Sequence, residues 1–490
     1  MIDRIKVAKC LFNLNIRDKK TRICGAIILG GIAGVALAFP GRLSVGIPAF
    51  LAFLLALVFI VPAFSNTDKE KKLLVELSIS AFLVRSAVAF MMVSLSIYAF
   101  GDPVGGYSFS SDAYAYLKSA QNLIDHFEKG GNMWYLLESK RNWITVTGVS
   151  NSFPWVCLAI TLLFGSYETL IAGSIYSAFM ASILVLVCYK LAFSILTEDR
   201  KSYAIDAAIL IILFPSFVAF TSVMLKEATV ICLTYTIFFL FYRIINEKSY
   251  YKIVLVILLV YLLGTVRVYA AGIVIFSLCA GYLAYSLNIR KPVDLLKIVL
   301  ILIAILLFLF TAGKSIFNID FIISVLDIDS IQVLREKHYG SATTYFSIGN
   351  LDSIWGIILA MPVGITYFLL APFPWQWFIG GDLFETIFAP DMLFYYLVFP
   401  FVIRGLWLTI KAKSLPGMIL VYYFFAIIVP YALFIGNFGT IYRLRNQIIP
   451  CMLIFAAIGG VPYVRYIYSI LIHMYCKITK HPVKKSFFEG

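Results

Sequence analysis

Charge is what this sequence has least of. Asp, Glu, Lys and Arg make up only 13% of its 490 residues, about half the roughly 25% of an average soluble domain. A chain of this length would ordinarily give about three soluble domains. With 61% apolar residues and a mean hydropathy of +0.92, however, the apolar surplus has to face a solvent that is itself apolar. That excludes a cytosolic enzyme and a secreted disulfide scaffold. The sequence also lacks any CxxC pair: Cys10, Cys24, Cys157, Cys188, Cys232, Cys279, Cys451 and Cys476 lie in apolar runs or near the termini, which indicates neither a zinc site nor a disulfide framework. Internal duplication and low-complexity tracts are likewise missing.

What is present is a series of apolar segments, near 24–41, 43–65, 73–100, 153–165, 167–196, 204–224, 227–246, 252–266, 268–287, 295–313, 353–372, 391–410, 416–436 and 446–463. The expected fold is an all-α polytopic membrane protein. A basic start and an apolar run ending near Ala36 and Ala38 loosely match a cleavable signal, but further spans follow at once. Seven Lys and Arg residues precede position 24 and five follow position 463, so both termini read as cytoplasmic. The net charge of +14 then reports topology and contact with anionic inner-leaflet lipid, and no nucleic-acid partner is implied.

Fourteen full crossings would put the short basic connections, such as Lys69–Lys72 and Asp199–Lys201, on alternating faces. If 153–165 and the 353–390 region do not cross fully, about twelve spans remain and every basic connection lies inside. The chain then divides into a basic cytoplasmic N-terminus (1–23), N-terminal transmembrane helices (24–100), a first large extracytoplasmic loop (101–152), further transmembrane helices (153–313), a second extracytoplasmic loop (314–352), transmembrane helices with a re-entrant region near 372–392 (353–463) and a cytoplasmic basic tail (464–490). In the first loop, Ser110-Ser-Asp112 is a good helix start, and Tyr116, Ala120, Leu123 and Phe127 recur at helical spacing. This predicts an amphipathic helix with Asp112 at its beginning.

Ionisable groups in or beside spans are costly and are functional candidates by default. At the outer ends gather Asp102, Asp112, Lys226, Glu227, Arg267, Arg335, His338, Arg443 and Arg445, while Glu76 and Arg85 lie inside a span. Outer aromatics include Tyr107, Tyr114, Tyr116, Trp134, Trp143, Trp375 and Trp377. Arginine pairs phosphate oxygens bidentately, and a carboxylate can take a proton from a hydroxyl. Carboxylates beside cations therefore fit a lipid phosphate leaving group and a hydroxyl nucleophile. Simpler readings stand alongside: Asp112 as a helix cap only, Lys226-Glu227 as a polar turn, Arg443 and Arg445 as snorkelling anchors, Trp375 and Trp377 as interfacial belt residues.

The first outer loop, with Asp112-Ala-Tyr-Ala-Tyr116 entering an amphipathic helix, resembles the GT-C superfamily of membrane glycosyltransferases, including the dolichyl- or polyprenyl-phosphate-mannose mannosyltransferase-like enzymes. Phe214-Pro-Ser216 with Met224-Leu-Lys-Glu227, Pro372-Phe-Pro-Trp375, and Gly439 through Pro450 are similar to stretches of bacterial envelope polysaccharide proteins. The resemblance implies a polyprenyl-linked sugar donor, a glycan or lipid-linked acceptor, and reaction at the extracytoplasmic face of a bacterial plasma membrane. The catalytic base would be Asp112, with Asp102 second. Phosphate contacts would fall to Lys226, Arg267, Arg443 and Arg445, with Glu227, Arg335, His338, Tyr114 and Tyr116 as secondary candidates. Two extra spans precede the loop and no adjacent acidic pair occurs, so no metal ligand is named and a divalent metal stays open. A related O-antigen or capsule polymerase shares this chemistry, and a transporter or flippase of lipid-linked sugars is the alternative from another class.

Overall fold

The structure, a computed structural model, describes residues 45–65, 67–102, 111–165, 170–195, 203–286, 354–377, 391–434 and 438–460. The expected spans at 24–41 and 295–313, the second outer loop with Arg335 and His338, most of the re-entrant region, and both basic termini lie outside these residues. The described chain is helical, without a strand. In order come α1 (Gly46–Ile60), α2 (Asp68–Ser94, extended by a π-helical turn to Ala99), α3 (Ser111–Glu128), α4 (Met133–Glu138), α5 (Lys140–Thr147), α6 (Phe153–Phe164), α7 (Ile171–Ile195), α8 (Tyr203–Leu213) and α9 (Pro215–Phe220). They are followed by α10 (Lys226–Glu247), α11 (Lys252–Val266), α12 (Val268–Ser286), α13 (Ile354–Leu370), α14 (Met392–Ala412), α15 (Leu415–Phe434), α16 (Phe438–Arg445) and α17 (Ile449–Gly460).

Seven helices among the described residues are long and apolar enough to cross a membrane: α1 together with the 3-10 turn that carries it on to Phe64, α2, α7, α10, α12, α14 and α15. At 1.5 Å per residue a helix needs about 20 residues for a hydrocarbon core of about 30 Å. Shorter apolar helices are α6, whose 12 residues reach about 18 Å, α8, α11, α17 and the second half of α13.

The centre of the bundle is α7, which packs against α1, α2, α8 and α10 and carries small residues, Gly173, Ser174, Ala178 and Ser182, among its buried positions. Small side chains let helix backbones approach closely where no water drives association. Lys190 near the end of α7 pairs with Glu70 in the first turn of α2 at 2.5 Å, so the two helices run antiparallel. The chain between them therefore leaves and returns at one end of the bundle. That end carries the α2 C-terminus, α3 and the start of α10. The opposite end carries Lys69, Lys71, Lys72, Arg243, Lys248 and Lys252.

One expectation needs correction. The segment 204–224 is not one span but a broken helix, α8 and α9, with Phe214 extended between them (ψ 112°). Pro215 has no N–H and disfavours helical geometry in the residue before it. The Ile211 carbonyl, four residues earlier, thereby loses its partner, and Arg85 Nη2 of α2 donates to it at 2.9 Å. Arg85 Nε donates to Thr221 Oγ1 at 3.0 Å, and its guanidinium sits 5.6 Å from the Phe217 ring centre. The fully buried Arg85 thus straps both halves of the break to α2.

Replacing Arg85 with Met leaves the buried Ile211 carbonyl unpaired, at a cost of about 1–3 kcal/mol, and should lower the thermal midpoint of the detergent-purified protein. In a Pro215→Ala background, which supplies the missing N–H, the loss should shrink. An equal loss in both backgrounds would contradict the capping role.

Candidate functional site

Asp112 stands in the first turn of α3, placed by the start signal and the apolar stripe. Tyr116 and Leu123 on that stripe are buried, and Tyr116 packs edge-on against Phe153 of α6 at 5.0 Å. Lys226 and Glu227 open α10, whose N-cap, Leu225, offers no side-chain cap, so an acidic residue in the first turn meets the positive end of the helix dipole. Because α10 and α11 are joined by a short connection and pack together, the end of α11 returns to the start of α10. Arg267 is there, a single extended residue (φ −153°, ψ 92°) between α11 and α12. Arg443 comes from α16, far along the chain.

These residues meet. Glu227 Oε1 accepts from Arg267 Nη2 at 2.8 Å and from Arg443 Nε at 2.5 Å. Arg443 Nη1 donates to Asp112 Oδ2. The Lys226 ammonium lies 5.8 Å from the Tyr116 ring centre, and Arg267 sits 5.5 Å from that of Tyr269. Three cations thus face two carboxylates. The Glu227 side chain is fully buried, whereas that of Asp112 is 41% exposed and that of Arg443 25% exposed. Burial alone would lower the Arg443 pKa, but the charges of Glu227 and Asp112 overcome it and hold the guanidinium above its usual value. Arg267 is raised in the same balance, burial opposing and Tyr269 and Glu227 supporting. Burial, then the Glu227 charge, pushes the Tyr116 phenol up. Buried Glu227 Oε2 and Arg267 Nη1 make no hydrogen bond among the described residues.

Arg445 is not part of this cluster. Two residues apart on a helix, side chains do not share a face, and Arg445 points from α16 toward the end of α13. Pro372 cannot donate to the Phe368 carbonyl four residues back, and Arg445 Nε does so instead at 2.8 Å, while Nη2 donates to the Ala371 carbonyl. Fully buried, and 5.0 Å from the Tyr395 ring centre, it is placed as a helix cap rather than a phosphate contact. Asp102 is also in local use, accepting from Ser96 Oγ at 2.8 Å past the end of α2. Tyr114 faces outward. Trp143 is buried on Trp155, and Trp134 and Trp375 are exposed. Among the described residues no three His, Cys, Asp or Glu side chains converge as metal ligands would.

The sequence reading passed over Asp391. It lies at the start of α14, and its Oδ2 accepts from the Ser216 N–H in the first turn of α9 at 3.3 Å, a cap supplied from another helix. Its only sequence signal is an acid directly ahead of an apolar run. Burial pushes its pKa up to about 6 against the opposing Ser216 contacts and Arg445.

No protein-family model, curated protein or solved structure matches this chain. The functional reading therefore rests on the residues themselves.

Asp391 gives a pH prediction with a definite sign. Its folded pKa, about 6, lies above the ordinary Asp value of about 3.9, so the folded state holds the proton more tightly and ionisation destabilises it. The destabilisation is complete above about pH 6 and disappears as pH falls toward 4. Asp391→Asn should melt higher than wild type at pH 7.5, with the gap closing by about pH 4; a pH-independent gap would count against this.

Proposed function

We propose that the protein is a polytopic membrane glycosyltransferase of GT-C type, which transfers a sugar from a polyprenyl-phosphate-linked donor to a hydroxyl of a glycan or lipid-linked acceptor. The reaction takes place at the extracytoplasmic end of the bundle, in a bacterial plasma membrane with about twelve crossings, and serves envelope glycan synthesis. The observation that carries this reading is the meeting of Asp112, Lys226, Glu227, Arg267 and Arg443 at the end of the bundle opposite the short basic connections. A half-exposed carboxylate there shares its arginine with a buried one.

In the proposed reaction the acceptor oxygen attacks the anomeric carbon and the bond from that carbon to the donor phosphate oxygen breaks. Asp112 takes the hydroxyl proton. The negative charge left on the phosphate falls to Arg443 and Lys226, whose partly exposed side chains can reach a ligand, with Arg267 adding its field from behind. Oriented cations in a partly dehydrated site stabilise such charge far better than water does. Glu227, fully buried between two arginines, is not available as a base.

The broken helix α8–α9 favours a second reading, transport of lipid-linked sugars, since transporters build their sites at discontinuous helices. Purified protein in proteoliposomes with a labelled polyprenyl-phosphate sugar separates the readings: bond cleavage supports transfer, and movement of intact substrate supports transport. A ladder of repeat units in place of single additions would make it a polymerase. Asp112→Asn keeps the shape but not the base, and should lower turnover by about 10² or more. Full activity in that variant would overturn the assignment of Asp112.

A further inference from the structure

The two carboxylates on Arg443 are not equivalent. Glu227 is buried without exposure and accepts from two arginines through a single oxygen, so removing it would strand two guanidinium groups at its side. Asp112 holds the other edge of Arg443 from a half-exposed position at the start of a helix, where solvent already competes for both partners. The Asp112 oxygen that accepts from Arg443 is also occupied, and is not free to accept from a substrate hydroxyl until Arg443 is given another anion. From this asymmetry, and resting on the proposed transfer reaction, we infer that Glu227 is a positioning residue that fixes Arg443 and Arg267 as a standing pair of cations. Asp112, on this inference, is the exchangeable anion that a phosphate-bearing ligand displaces from Arg443.

Binding and activation are then one event. The phosphate takes Arg443 Nη1, the freed Asp112 turns to the acceptor hydroxyl, and the Glu227 bond to Arg443 Nε persists throughout. Lys226 beside Tyr116 supplies a further donor, and the buried Arg267 adds its charge from behind. The exchange also orders the reaction, because the base becomes free only when a donor phosphate is present.

The test is binding of a short-chain prenyl monophosphate to the full-length protein in nanodiscs, compared with inorganic phosphate to separate lipid recognition from bare anion binding. Asp112→Asn removes the competing charge but keeps the shape of a half-exposed side chain in the first turn of α3, so folding is not threatened. It should bind prenyl phosphate about two- to fivefold more tightly, the fold-change that matches an exposed ion pair. Glu227→Gln should bind at least about tenfold more weakly, and in that background Asp112→Asn should bring no gain, a coupling that a merely structural role would not produce. Weaker binding in Asp112→Asn would overturn the exchange while leaving the transfer reading intact. Absence of prenyl phosphate binding in every form, wild type included, would overturn both.

Discussion

The contact on which this end of the molecule depends is the pair of arginines on one oxygen of Glu227. Burying an ion costs several kcal/mol, and the cost is recovered only with good geometry and several hydrogen bonds. Here one carboxylate at the head of α10 gathers Arg267 from the junction of α11 and α12 and Arg443 from α16. Arg443 in turn brings in Asp112 at the head of α3. Four stretches of chain, separated by 40 to 331 positions, are tied at one point. Since α10 packs on the central helix α7 and α12 on α15, the cluster ties these packed pairs together at one end of the bundle.

A second device recurs and positions the first. Twice a proline removes the donor that a helix carbonyl needs, and twice a buried arginine supplies it: Arg85 for Ile211 at the Pro215 break, Arg445 for Phe368 before Pro372. Both are cations in an apolar surround that spend their donors on backbone carbonyls, as helix ends require. The Pro215 break lets α9 turn and the buried stretch Thr221–Leu225 deliver Lys226 and Glu227 to the end of the bundle. Arg445 locks α16 to α13, and because Arg443 lies two residues away on the opposite face, that lock also aims Arg443 at Glu227. Capping and site geometry are therefore coupled through one short helix.

Much of this was legible in the sequence, for physical reasons. Helices such as α10, α11, α12 and α15 follow apolar runs bounded by charge, and their limits fall within a few residues of those read from hydropathy. The amphipathic α3 was legible because its cap and stripe are local signals. Asp112, Lys226, Arg267 and Arg443 could be grouped because charges flanking spans sort by side. What the sequence did not show is direction within a turn. Arg443 and Arg445 look alike in composition, and only helical phase sends one to carboxylates and the other to carbonyls. The break at Pro215 was hidden inside a continuous apolar run, and Asp391 was hidden because its partner, the Ser216 N–H, is a backbone group 175 residues away. Glu227 likewise reads as one half of a polar turn until its two arginines are placed.

The central claim is that the Asp112, Arg443, Glu227 and Arg267 cluster is a phosphate site in which the buried carboxylate stays and the exposed one yields. An experimental structure of the full-length protein with a bound prenyl phosphate tests it most directly. The account predicts the phosphate within hydrogen-bond distance of Arg443 and Lys226, the Glu227 contacts kept, and Asp112 parted from Arg443. A phosphate bound elsewhere, with the Asp112–Arg443 pair intact, would contradict it.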